Sequence, residues 1–184
     1  IKQTYGDDVK INSIEDVDDL LRLKEGEHFD RYLKILLLPK LILIDRQAHK
    51  EASYHLASEL YHSYNVGFIR LKFTFSRATQ NDAEAIPGIE KLSEEDVVMG
   101  LYDGFKEFKK KVPNFNFVLS PCFRKEQDFF DAQKFESKKE HFDHQIDQIL
   151  SILERNPELG PYLTDVDTVG NEKNLYRKGH FDDM

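Results

Sequence analysis

Apolar and polar side chains alternate most clearly over residues 66–76, and this pattern predicts a β-strand. Its apolar face carries Ile69, Leu71, Phe73 and Phe75. Its polar face carries Arg70, Lys72, Thr74 and Ser76. Two further strands are predicted over residues 115–120 and 162–169. Polar residues again share one side near their ends, namely Ser120, Cys122 and Arg124, then Asp165 and Asp167. Such faces are typical of a hydrated cavity wall, and a poorly covered sheet produces the same pattern.

Helical spacing of apolar residues predicts helices before, between and after these strands. Capping patterns at Ser13 and Ser93 open two of them. A long helix is predicted over residues 46–64, with a buried stripe of Ala52, Leu56, Leu60 and Tyr64. Others are predicted over residues 29–38, up to about residue 154, and from residue 174. This alternation predicts an α/β fold with parallel strands, as a small open sheet or a partial TIM (β/α)8 barrel.

Composition narrows the class of protein. The 184 residues fit one domain, and 26 basic against 34 acidic residues give a formal net charge of −8. That charge argues against a nucleic-acid surface and against an anionic membrane surface. Cys122 is the only cysteine, so no intrachain disulfide can form and nothing indicates a secreted, disulfide-stapled fold. The longest apolar run is broken at Pro39 and is too short to cross a bilayer. We therefore expect a cytoplasmic protein.

Five segments in one order along the chain carry a family resemblance. They are residues 27–33 with a Phe-Asp pair, residues 66–76 ending in Phe-Ser, residues 92–98 followed by Gly100 and Gly104, residues 118–124 ending in arginine, and residues 166–172 ending in Gly-Asn-Glu. In order and spacing they resemble the adenosine deaminases, a family of zinc-dependent (β/α)8-barrel hydrolases of purine metabolism. The resemblance covers the second to fourth strands of that barrel.

The resemblance implies a function for the intact protein. It would use Zn2+ to deaminate adenosine, or a related 6-aminopurine nucleoside or nucleotide, to the inosine form. The family binds zinc through a His-x-His on its first strand and through later His and Asp residues, and no His-x-His occurs in this chain. Residues 1–184 are thus expected to be a single segment of the barrel, lacking the first strand and the C-terminal half. We predict no catalytic residue, no metal ligand and no zinc binding within this chain alone.

The resemblance also implies residues that bind substrate. Gly170 would offer its backbone N–H to a purine ring nitrogen, although a glycine there also lets a strand turn into a loop. Asp167 would organise the floor of the site, or else serve as a residue of a strand-end turn. Phe29 would form an apolar lid over the nucleoside, while most phenylalanines in helices belong to a core.

Ser76 and Arg124 are predicted to face the barrel interior, where they could contact substrate or serve only an internal hydrogen-bond network. Lys72 and Thr74 depart from the family, which usually carries Glu and Arg at these positions. That departure leaves the substrate open between a nucleoside, a nucleotide and a larger ligand. Asp165 has no family counterpart of its type and is predicted to be structural.

Other candidate chemistry in the chain is weaker. His141 and His144 have a spacing that could share a metal ion, but a solvated helix face is the preferred interpretation. Cys122 has no evident base beside it and is not predicted to be a nucleophile. The main alternative function is a non-catalytic half-barrel that serves binding or assembly after loss of the metal site. An unrelated small α/β ligand binder is the third possibility. A half-barrel, whether part of an enzyme or non-catalytic, would expose sheet edges, so we expect a homo-oligomer or association with missing segments.

Overall fold

A computed structural model describes residues 11–35, 42–74, 92–124 and 134–169. The elements, in chain order, are α1 Ile14–Leu21, α2 Phe29–Ile35, α3 Arg46–Tyr64, β1 Phe68–Thr74, α4 Glu94–Lys111, β2 Asn116–Arg124, α5 Lys138–Arg155, the 3-10 turn Pro157–Leu159 and β3 Asp167–Val169. The chain thus alternates helices and strands. The predicted helices beyond residue 35 and from residue 174 lie outside the described residues.

The three strands form one parallel sheet in the order β1-β2-β3. The register pairs Lys72 with Ser120 and Cys122 with Asp167, so these side chains share one face. The prediction of an α/β fold with parallel strands is confirmed. The same three strands fit an open sheet as well as a barrel segment.

The apolar face of the sheet packs against α4. Phe117 of β2 lies 5.0 Å, between ring centroids, from Phe105 of α4 and 4.5 Å from Tyr162. Phe105 and the neighbouring Phe108 and Phe115 are all fully buried. Each aromatic side chain buries about 150–250 Å² of surface, so these rings contribute strongly to the core. The opposite face of the sheet carries the polar residues.

Helices α3 and α4 run in the same direction and approach each other through glycines. A Cβ atom at Gly100 would lie 2.6 Å from the carbonyl oxygen of Arg46 and 2.7 Å from Cβ of His49. The α3 residues buried at this crossing are His49, Ser53 and Ala57. The predicted stripe is therefore wrong at Ala52, Leu56 and Tyr64, which are exposed, and Leu60 is only half-buried. The glycines of α4 bring the two backbones close together, so α4 covers only a narrow strip of the α3 surface. Burial at this crossing therefore depends more on the size of a side chain than on its hydrophobicity.

The strands differ in length from the predictions. β2 continues beyond Ser120 to Arg124, whereas β3 covers only three residues. Leu119 donates its N–H to the carbonyl of Tyr162 at 2.7 Å. Two residues later, Pro121 has no N–H to donate toward the same side. Regular pairing with β3 accordingly begins only at Cys122.

Helix ends show how the layers join. Both predicted caps are confirmed, since Ser13 and Ser93 accept hydrogen bonds from the third residue of their helices. Arg155, at the end of α5, binds Glu95 in the first turn of α4, so these two helices do not run side by side in the same direction. None of the helices among the described residues combines the length and apolar character needed to cross a membrane.

Candidate functional site on the polar face of the sheet

Charged side chains of opposite sign line the two outer strands on the face turned away from α4. Arg70 and Lys72 alternate along β1, while Asp165 and Asp167 alternate on the segment that leads into β3. We call this surface the polar face. Because successive side chains of a strand point to opposite sides, residues two apart lie on the same side. The alternation in the sequence therefore produces a positive row on β1 and a negative row leading into β3, both on the same face of the sheet.

The two rows are joined by ion pairs that cross the middle strand. Arg70 Nη2 lies 3.1 Å from Asp165 Oδ2, and the ammonium of Lys72 pairs with Asp167 Oδ2. Adjacent strands lie about 4.8 Å apart, so a pair between β1 and β3 bridges about 10 Å. Only long side chains such as lysine and arginine reach that far from β1. We call these contacts the cross-strand ion pairs.

Small side chains of β2 lie beneath the cross-strand ion pairs. Ser120 is 1% exposed and Cys122 is 3% exposed. Their size leaves room for the long side chains of β1 to pass over them. This explains how residues on a polar face can be as buried as those of the core.

The charges alter the titration of their neighbours. Hydrogen bonding to Asp167, together with the attraction between the two charges, raises the pKa of Lys72 above its usual value. Burial raises the pKa of the Cys122 thiol, and the negative charge of Asp167 raises it further. Cys122 is consequently a neutral thiol at physiological pH. A neutral, buried thiol is a poor nucleophile.

The two carboxylate oxygens of Asp165 lie in different environments, which the sequence did not indicate. Its Oδ2 binds Arg70, while its Oδ1 is buried and has no hydrogen-bond partner among the described residues. The interpretation of Asp165 as structural agrees with its ion pair across the sheet. Arg70 and Asp165 were not among the predicted site residues. The signal that identifies them is their position two residues before Lys72 and Asp167.

The five predicted site residues are placed as follows. Asp167 is the first residue of β3 and belongs to the polar face. Arg124 ends β2 and pairs in register with Val169, so both residues lie at the carboxyl-terminal edge of the sheet. Phe29 begins α2, is 36% exposed, and stacks on Tyr32 of the same helix at 5.8 Å. Gly170 and Ser76 lie outside the described residues.

The histidine pair on α5 is organised by an aromatic ring. His141 and His144 both contact Phe135, with ring centroids 4.6 Å and 5.2 Å away. His141 is buried, so the interpretation of a solvated helix face is wrong for this residue. The described residues contain no group of three His, Cys, Asp or Glu side chains able to hold a metal ion.

An open cleft of about 370 Å³ separates α5 from the first turn of α4. Ser93, Glu95, His144 and Asp147 are among its lining residues. Glu95 is already engaged by Arg155 and by Asn156, whose Nδ2 lies 2.7 Å from Glu95 Oε1. Hydrogen bonding to Arg155 holds the pKa of Glu95 below its usual value. The Glu95 carboxylate of this cleft is therefore already engaged by residues of the same chain.

The geometry defines an α/β protein with a parallel sheet whose polar face is spanned by ion pairs. No protein-family model matches the chain, and no curated protein matches it significantly.

Proposed function

We propose that the chain is part of a zinc-dependent hydrolase that deaminates adenosine, or a related 6-aminopurine nucleoside or nucleotide, to the inosine form. The observation that carries this proposal is the position of Asp167 on the polar face of a parallel sheet, in register with Cys122 near the carboxyl-terminal end of β2. In barrels and in open α/β sheets, ligands bind at the carboxyl-terminal ends of the strands. The five motifs supply the reaction class, because their order and spacing resemble those of the adenosine deaminases.

In this proposal the sheet is a segment of a (β/α)8 barrel. Its polar face belongs to the interior of the barrel and its apolar face to the outer layer of helices. α3 and α4 run in the same direction, as the helices of a barrel do, whereas the end of α5 meets the first turn of α4 and departs from that arrangement. Asp167 and the following Gly170 are the chain's contribution to purine binding, and Phe29, Ser76 and Arg124 complete the proposed substrate contacts.

The residues of this chain do not fit a zinc ion by themselves. Among the described positions no three potential ligands come together, and the full sequence has no His-x-His. We therefore assign the zinc ligands and the proton-transfer groups to other parts of the intact protein. The residues of this chain bind and orient the purine, and none of them is assigned a step of the reaction.

Activity of the intact protein tests the proposal. We expect the full gene product to release ammonia from adenosine, and to lose that activity when zinc is chelated. The gene is also expected to encode a His-x-His before Ile1 and a His followed closely by Glu after Met184. The 184-residue chain is expected to bind adenosine without deaminating it. A full gene product that lacks the histidine motifs and releases no ammonia contradicts the proposal.

A non-catalytic half-barrel is the second candidate, and the cross-strand ion pairs favour it. Arg70 and Lys72 are both paired with carboxylates of the same chain. A face whose charges are matched internally can serve as a stable wall without any ligand. This candidate predicts that the full gene product releases no ammonia and that adenosine leaves the thermal unfolding temperature of the chain unchanged.

Association is part of the same proposal. β1 and β3 are the outer strands of the described sheet, and outer strands offer backbone groups for pairing. We propose that the chain forms a homo-oligomer or pairs with other segments of its own protein, in the cytoplasm. Light scattering on the purified chain tests this, and a monodisperse monomer contradicts it.

A further inference from the structure

We infer that Lys72 is a positioning residue of the proposed purine site, because it holds the Asp167 carboxylate from the outer strand β1, across β2 on the same face of the sheet. This inference rests on the proposed function, in which Asp167 organises the floor of the purine site. Lys72 itself lies on β1, two strands away from Asp167. It acts on substrate through Asp167 rather than by direct contact.

The backbone holds β3 by few contacts. Only three residues of β3 pair with β2, from Asp167 opposite Cys122 to Val169 opposite Arg124. A strand this short contributes few ladder hydrogen bonds, so its end can shift unless side chains hold it. The ion pair with Lys72 adds a tether at the first residue of β3. Displacement of a binding group by about 1 Å is enough to weaken function strongly.

The choice of lysine follows from distance. Thr74 lies nearer the carboxyl-terminal end of β1, but its side chain is too short to cross β2. Ser120 and Cys122 are small and buried, so they leave a path for the Lys72 stem. Arginine has a comparable reach and carries the same charge, whereas methionine keeps much of the length and loses the charge. Comparing the arginine and methionine variants therefore separates the effect of the Lys72 charge from the effect of packing by its side-chain stem.

The test is the affinity of the 184-residue chain for adenosine, measured by titration calorimetry. We expect Lys72→Met to weaken binding about tenfold, corresponding to about 1.4 kcal/mol. Lys72→Arg is expected to restore most of the affinity. The matched control is Arg46→Met, which removes an ion pair of similar exposure with Asp103 on the helix layer and leaves the Lys72 contact intact. Its affinity is expected to stay within about twofold of the unsubstituted chain.

Urea unfolding separates positioning from stability. We expect Lys72→Met and Arg46→Met to shift the urea midpoint by similar amounts, because both remove one half-exposed ion pair. Lys72→Gln, which retains polarity and lacks the charge, provides a second variant if Lys72→Met does not fold. Its adenosine affinity is expected to fall as well.

Two results overturn the inference while leaving the proposed function intact. One is unchanged adenosine affinity in Lys72→Met and Lys72→Gln. The other is an equal loss of affinity in Arg46→Met and Lys72→Met that Lys72→Arg fails to restore, since this pattern reports lost stability. Failure of the unsubstituted chain to bind adenosine at all contradicts the proposed function itself, and the inference falls with it.

Discussion

Gly104 of α4 lies so close to Ser53 of α3 that any side chain on the glycine would overlap the serine hydroxyl. A Cβ atom at Gly104 would also overlap the carbonyl oxygen of Lys50 and would lie 2.9 Å from the backbone nitrogen of Tyr54. Backbone atoms of a helix cannot move aside as a flexible side chain can. The spacing between α3 and α4 is therefore set by the absence of a side chain.

Gly104→Ala is expected to destabilise the protein. Alanine favours a helix over glycine by about 1 kcal/mol, but overpacking a close contact typically costs about 1–3 kcal/mol. The backbone overlap places Gly104 at the upper end of that range, so we expect a net loss of about 2 kcal/mol in the free energy of unfolding. Urea denaturation measures it.

Gly67→Ala is the matched control for that change, because a Cβ atom at Gly67 meets nothing within 4 Å. It is expected to alter the unfolding free energy by less than about 0.5 kcal/mol. Equal stability of Gly104→Ala and the unsubstituted protein would mean that α3 and α4 are not in this close contact.

His49 makes the same helix crossing sensitive to acid. It is 3% exposed, and its Nδ1–H donates to the carbonyl oxygen of Asp45 at 2.8 Å. Burial lowers the pKa of His49 below its usual value, and the Asp45 contact only partly offsets this effect. A lowered pKa means that the folded state takes up the proton less readily than the unfolded chain. The stabilisation is therefore present above the unfolded pKa of about 6.5 and is lost as pH falls through the folded pKa.

We expect the free energy of unfolding to fall below about pH 6.5, with His49 contributing at most about 1.4 kcal/mol per pH unit. His49→Gln removes this contribution, so its unfolding free energy is expected to vary less over the same interval. His55→Gln, an exposed histidine on the same helix, is the control and leaves the pH dependence in place. Identical pH profiles for His49→Gln and the unsubstituted protein contradict the assignment.

Local sequence patterns predicted the helices and strands better than they predicted which side chains are in contact. The helix bounds at residues 46–64 and the cap at Ser93 follow from short-range rules and were confirmed. The buried stripe of α3 was wrong because it depends on the surface of α4, which presents Gly100 and Gly104. Neighbouring helices in space decide which side of a helix is covered, and periodicity along one helix does not contain that information.

The candidate site was only partly predictable for a similar reason. Alternation in β1 and near β3 indicated a polar face, which the structure contains. The pairing of Lys72 with Asp167 depends on the strand order β1-β2-β3 and on the small side chains of β2 between them. The family resemblance directed attention to Asp167 and treated Lys72 only as a departure. The structure shows that Lys72 and Asp167 form an ion pair with each other.

Cys122 provides a chemical probe of the cross-strand ion pairs, because it is the only thiol in the chain. It lies beside Asp167 in register and is buried beneath the ion pair with Lys72. Asp167→Ala removes part of the cover and also removes a negative charge that raises the pKa of the thiol. Both effects increase reactivity, so we expect labelling by a disulfide reagent to accelerate about tenfold.

Asp103→Ala is the control for thiol labelling. It breaks the ion pair of Asp103 with Arg46 on the helix layer, where Nη2 and Oδ2 are 2.7 Å apart. The labelling rate of Cys122 is expected to stay close to that of the unsubstituted protein. Equal acceleration in both variants would indicate general loss of stability, and no acceleration in Asp167→Ala would show that the ion pair does not cover Cys122.

Glu95 and Arg155 join the first turn of α4 to the end of α5. Both Nε and Nη2 of Arg155 donate to Glu95 Oε2, at 3.0 Å and 2.7 Å, and Asn156 binds the other carboxylate oxygen. These hydrogen bonds lower the pKa of Glu95, with Arg155 contributing most. Because the folded pKa is depressed, the stabilisation is present above the unfolded pKa of about 4.3 and is lost as pH falls through the folded pKa.

At neutral pH we expect Glu95→Gln to lower the free energy of unfolding by about 0.5–1 kcal/mol, since the contact is partly exposed to solvent. The difference from the unsubstituted protein is expected to shrink in acid, where both side chains are uncharged. A double-mutant cycle with Arg155→Gln isolates the pair, and its coupling energy is expected to fall with rising salt concentration. A coupling energy of zero at neutral pH and low salt would show that α5 is held against α4 by apolar packing, for example through the buried Ile152, rather than by this ion pair.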